Sequence, residues 1–118
     1  MTATTPTRAA TADVLDQAAE ILEANGHYQG HLYDTRQAAG STPLDGCRVD
    51  VMGALNIAAH GTPRYAGSPA VYAAEQALTD RLQVVSLVTW NDEKGRTAAD
   101  ITQALRDTAA NLRAEATA

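Results

Sequence analysis

The chain has 118 residues, a formal net charge of −5 and a pI of about 4.9, which suits one domain with a real core. Its 9 Lys and Arg are scattered among 14 Asp and Glu, so neither nucleic acid nor an anionic membrane is expected as a partner. A single Cys excludes an internal disulfide and a multi-Cys zinc site, and no apolar run approaches the ~18 residues of a membrane span.

Hydrophobic residues make up 45%, yet Phe is absent and aromatics are 4%. The apolar content leans on Ala, Leu and Val, which favours closely packed helices over strands. Residues 1–10 are rich in Thr and Ala and carry no signal-peptide core, so they read as a flexible leader before a single helical domain at residues 11–118. A reducing, cytoplasmic setting fits the lone thiol.

Thr11 is the expected cap of the first helix, whose apolar stripe is Val14, Leu15, Ala18, Ile21 and Leu22. Gly26, just past Asn25, is its expected stop. Residues 27–46 have no helical period; they read as one long loop, with a short strand conceivable over residues 27–33. A connection of that length is uncommon unless it packs or binds something. Asp45 is the expected cap of a second helix running to His60, with Val51, Met52, Leu55, Ala58 and Ala59 inward and Gly61 and Pro63 ending it. Ser68-Pro69 pairs an N-cap with proline at the first helical position, and Val71, Ala74, Leu78 and Leu82 line the inner face of that third helix.

Two adjacent Val residues, Val84 and Val85, favour strand, but Ser86 followed by Leu87, Val88 and Trp90 reads better as a short capped helix. The final helix carries Ile101, Leu105 and Leu112 inward. Between these last two helices lies the densest polar stretch, Trp90-Asn91-Asp92-Glu93-Lys94-Gly95-Arg96-Thr97. Gly95 is free to take positive φ, and Thr97 with Asp100 forms a capping-box pattern in which Asp replaces the usual Glu. Trp90, Gly95 and Thr97 are therefore the expected structural hub. Arg96 presents a planar fork suited to Asp92 or to a ligand carboxylate or phosphate. The expected fold class is all-α: a compact bundle of four main helices plus one short helix, with one long loop.

The chain resembles a family of small uncharacterised proteins of bacteria and their phages. Three places carry the resemblance: Ala18-Ala19-Glu20-Ile21-Leu22-Glu23 with Asn25-Gly26 and Gln29-Gly30; Gly53-Ala54-Leu55 with Ala58-Ala59 and Gly61; and Trp90-Asn91-Asp92 with Gly95-Arg96-Thr97. It implies a compact helical domain and no particular activity. Some relatives carry Cys just before the Gly-Ala-Leu element, where this chain has Val51 and Met52 and places Cys47 further upstream. That difference argues against a shared thiol chemistry.

Two functions from different classes follow. The favoured one is a small non-catalytic binding or interaction module acting on a protein or small ligand, with self-association among the partners considered. Its contact residues would be Tyr28, His31, Tyr33, Asn91, Asp92 and Arg96, from the long loop and the turn at residues 90–97. Tyr suits this role because it offers an apolar body and a polar tip. The alternative is a small hydrolase or metal-dependent enzyme. It would use Cys47 as a thiolate near a helix start, or ligands from His27, His31 and His60. His27 and His31 are four apart, but Gly30 argues against the helix that would align them. No phosphate-binding or dinucleotide glycine motif is present, and no cofactor is expected.

Overall fold

The computed structural model describes residues 5–117. Among them the chain is all-α, with helices α1 (Arg8–Asn25), α2 (Thr35–Ala39), α3 (Val51–His60), α4 (Pro69–Leu82), α5 (Leu87–Asp92) and α6 (Ala98–Thr117) and one 3-10 turn (Leu44–Gly46). The four long helices and short α5 match the sequence reading. Helix α2 and the 3-10 turn do not; they occupy the segment that reads as structureless loop. Asp34 makes α2 possible by accepting the amides of Arg36 and Gln37 at 3.0 and 3.2 Å.

Two helix starts differ from expectation. The cap of α1 is Thr7, whose hydroxyl accepts the Ala10 amide at 3.0 Å. Thr11 lies one turn inside the helix and is buried, so residues 8–10 of the expected leader are helical. Both threonines are capping types, and the Ala-rich stretch between them lets the earlier one set the start. Residues 1–4 of that leader lie outside the described residues. The cap of α3 is Asp50, not Asp45, which sits in the 3-10 turn. Residues 47–50 stay extended because Val49 bridges to both His27 and Tyr33. These isolated bridges take the place of the short strand considered for residues 27–33.

Helices α1 and α6 form the most extensive pair and run antiparallel. Arg106 pairs with Glu23, Arg113 with Asp16 and Asp13, and Arg8 with Glu115 along their outer edge. Such exposed pairs contribute about 0–1 kcal/mol each, so the pairing rests on the buried side. There Ala12, Ala18 and Ala19 of α1 and Ala104 and Ala109 of α6 keep the backbones close. Leu15, Leu22, Leu55, Leu78, Leu87, Ile101 and Leu105 fill the centre.

Residues 27–33 wrap over the amino terminus of α3. The Tyr28 amide donates to Val49 O at 2.9 Å, and Leu32 O accepts the Asp50 amide at 3.1 Å. Leu32 and Tyr33 pack on the core. This close wrap needs Gly53, because a Cβ there would overlap the Leu32 carbonyl.

Candidate functional site

The turn that ends α5 is built by short-range signals. Ser86 caps α5 through the Thr89 amide at 3.2 Å. Trp90 is only 8% exposed, and the Arg96 guanidinium lies 4.3 Å above its ring. Arg96 is fixed there by Nε donating to Trp90 O at 3.0 Å and by Nη2 donating to the Glu93 carboxylate at 2.6 Å. Its acidic partner is thus Glu93, while Asp92 turns the other way. Gly95 takes φ 87° and sends the chain into α6. Thr97 and Asp100 then cap each other reciprocally, Thr97 N–H to the carboxylate at 3.0 Å and Asp100 N–H to the hydroxyl at 3.1 Å. The shorter Asp closes the capping box as Glu would, and the Thr97 amide and side chain hold its carboxyl below the usual range.

Asn91 is fully buried and joins three segments. Its Oδ1 accepts the Val51 amide at 3.0 Å and lies 3.0 Å from His27 Nε2. Its Nδ2 donates to Tyr28 O at 3.1 Å and to the Asp92 carboxylate at 2.9 Å. Two oxygens at Nδ2 fix the orientation of the amide, so His27 Nε2 must carry the hydrogen it shares with Oδ1. Around this centre Gln29 Nε2 donates to the carbonyls of Asn91 and Glu93, both at 3.0 Å. The Gly30 amide donates to Asp92 at 3.0 Å. The loop and the turn are therefore one hydrogen-bonded unit.

The same cluster completes the start of α3, whose first amides have no partner within the helix. Asn91 takes Val51, and the Asp50 carboxylate takes Gly53 at 2.6 Å and Met52. The Asp50 carbonyl takes Ala54 at 3.0 Å. Asp50 is 2% exposed. Burial pushes its carboxyl up to about 7; the Gly53 and Met52 amides oppose the rise and nearby Asp92 adds to it. Asp34 is buried too, yet its carboxyl lies below its ordinary value. Burial opposes ionisation there, but the Arg48 guanidinium and the Gln37 and Arg36 amides outweigh it.

The expected contact residues fall into distinct settings. His31 is exposed, with its ring edge-on to Tyr33 at 5.1 Å. Tyr28 is half-buried, with the Arg48 guanidinium 6.0 Å from its ring centre. Asp92 is exposed, Arg96 is mostly covered, and Asn91 is inaccessible. The residues of the enzyme alternative each have a different neighbour. Cys47 is buried with Sγ 3.4 Å from Pro43 O, and burial, with Asp34 and Asp45 nearby, raises its thiol pKa. That reverses the activation expected from a helix start, because α3 begins only at Val51. His60 bonds Ser68 at 2.9 Å at the far end of α3 from His27, a helix about 15 Å long. Among the described residues no group of three or more His, Cys, Asp or Glu forms a metal-ligand set. Sequence reasoning does not join Gln29, Asp34 or Asp50 to the network, and reads Asp50 only as a helix-start or solvent residue. Asp50 carried a usable signal, as the acidic residue directly before the apolar run of α3.

An all-α bundle with this polar hub defines a structural class without a reaction. The chain matches, over residues 6–111, the model of DUF6197, a family of unknown function, and it belongs to that family. No curated protein and no solved structure matches it.

Proposed function

We propose that this is a non-catalytic binding module whose contact face is formed by residues 27–33 and the turn at residues 90–97. The observation that carries this reading is the hydrogen bonding of Gln29 and Gly30 to Asn91, Asp92 and Glu93. It holds two exposed segments in one arrangement, which lowers the ordering cost of association. Gln29, His31, Asp92, Glu93 and Lys94 are left facing solvent. The partner class is a protein or small molecule. Five of the nine cations, Arg8, Arg48, Arg96, Arg106 and Arg113, are engaged by carboxylates, and the exposed Arg36, Arg64, Arg81 and Lys94 are scattered along the sequence, which disfavours a phosphate backbone.

The test is retention of partners from the native host on immobilised parent protein and on three surface variants. His31→Glu and Lys94→Glu should each abolish retention without moving the melting temperature. Glu20→Lys, on α1, should leave it intact. Retention lost through Glu20→Lys but kept through both face variants would contradict the proposal.

A further inference from the structure

Under the contact face lies a buried carboxyl without a cation. Asp50 is 2% exposed and makes no ion pair among the described residues. Its carboxyl takes the Gly53 and Met52 amides, and Leu32 O of the 27–33 loop accepts its backbone amide at 3.1 Å. The loop sits directly on α3 here: a single carbon added to Gly53 would already overlap Leu32 O. Water therefore has no room beneath the loop while it is closed.

Titratable groups stand around Asp50 on each element packed against it. From the loop come His27 and Tyr33. His27 donates Nε2–H to Asn91 Oδ1 in either of its protonation states, so its own titration leaves that bond in place. From the preceding segment comes Arg48, whose guanidinium is held by the Asp34 carboxylate. From α1, Glu23 is paired with Arg106. From the 90–97 turn comes Asp92, a charge of the same sign as ionised Asp50, and it adds to the cost of ionisation. Asp92 also fastens the loop, because its carboxylate accepts the Gly30 amide at 3.0 Å. The loop is thus tied at Gly30 to one carboxylate and at Leu32 to the residue that carries the other.

Ionising Asp50 sets a second negative charge in this dry site, and solvent lies just across the loop, where Gln29, Gly30 and His31 are exposed. Lifting the loop hydrates both carboxylates. We propose that residues 27–33 are a proton-operated strap, closed on α3 while Asp50 is neutral and loosened as it ionises, so that acidification firms the contact face. The importance of that face for binding rests on the function proposed above; the strap movement does not. Burial moves the Asp50 carboxyl from 3.8 to about 7, and an opened strap returns it toward 3.8. Opening therefore gains up to about tenfold per pH unit between those values, about a thousandfold in all.

The test is amide hydrogen exchange on the protein alone at pH 4.5 and 7.5, corrected for intrinsic pH dependence. The Tyr28 and Asp50 amides, which donate to Val49 O and Leu32 O, report the strap. Their protection should fall at least ~30-fold from the lower to the higher pH. At both pH values it should stay below that of amides at the centre of α6, which marks the opening as local and not global. Asp50→Asn should abolish the fall, and Asp92→Asn, which keeps an acceptor for Gly30, should reduce it. Protection at Tyr28 and Asp50 that is independent of pH would overturn the proposal. So would protection equal to that of α6 at both pH values, or a full fall retained in Asp50→Asn. Because no partner enters this measurement, a failed strap and a failed retention test are separate results.

Discussion

The side-chain oxygen of Asn91 accepts the backbone amide of Val51 at 3.0 Å, across 40 positions of sequence. The residue after the only Trp thus completes the amino terminus of α3. Asn91→Ala would leave that buried amide and the Tyr28 carbonyl without their partner. Each orphaned group costs ~1–3 kcal/mol, so chemical denaturation should show a loss of about 2–4 kcal/mol. Asn91→Asp should be no better, because a second carboxylate would face Tyr28 O and Asp92. A loss under ~0.5 kcal/mol for the alanine variant would remove Asn91 from the centre of the structure.

Gly53→Ala should destabilise although Ala is the better helix former by about 1 kcal/mol. The added methyl would overlap the Leu32 carbonyl, a backbone group that cannot rotate away. Residues 27–33 must then lift from α3. Urea unfolding should give a lower midpoint, and the Leu32 and Tyr33 resonances should shift. A variant as stable as the parent would mean the loop is not held against α3.

Stability should peak on the acidic side of neutrality. The folded pKa of Asp50 is raised from 3.8 to about 7, so the folded protein holds that proton more tightly than the unfolded chain. Its contribution is complete below pH ~4 and is lost as pH rises through about 7, a change on the order of 4 kcal/mol. Asp34 and Asp100 are shifted down, so their contributions are present above pH ~4 and fade below it. Denaturant midpoints between pH 3 and 9 should trace this curve. Asp50→Asn keeps an acceptor for the Gly53 amide and should flatten the alkaline limb. A limb of unchanged slope in that variant would assign the titration to another group.

Trp90→Ala should cost ~3–5 kcal/mol, the usual penalty for emptying a large buried side chain. Arg96→Ala should cost less, about 0.5–2 kcal/mol, since it removes a cation–π contact and exposes the indole face. Its emission should move to the red of the parent spectrum. Parent emission already typical of water-exposed indole would contradict the packing described.

The parts of this fold legible in the sequence are those set within one helical turn. Ser68 with Pro69, Ser86, and Thr97 with Asp100 each bond an amide three positions on, so spacing alone identifies them. Trp90 was legible by volume, since the chain has no Phe to compete with it. The start of α3 was not, because Asp45 and Asp50 are equally good caps locally. The bridges of Val49 to His27 and Tyr33, some 20 residues upstream, decide between them. Asn91 reads as a ligand contact from sequence because its polarity is visible there and its burial is not. Its four partners come from residues 27, 28, 51 and 92, a combination only the fold brings together.

The most direct measurement is amide hydrogen exchange at Tyr28, Asp34 and Val51 in the intact protein. Their amides donate to Val49 O, Arg48 O and the Asn91 side chain at 2.9, 2.9 and 3.0 Å. If residues 27–33, α3 and the 90–97 turn form one pre-organised unit, all three should exchange as slowly as Ala54 inside α3. Asn91→Ala should accelerate all three together. Exchange at Tyr28 and Asp34 as fast as at residues 5–7, with Ala54 still protected, would show that the loop is not held and that no pre-formed face exists.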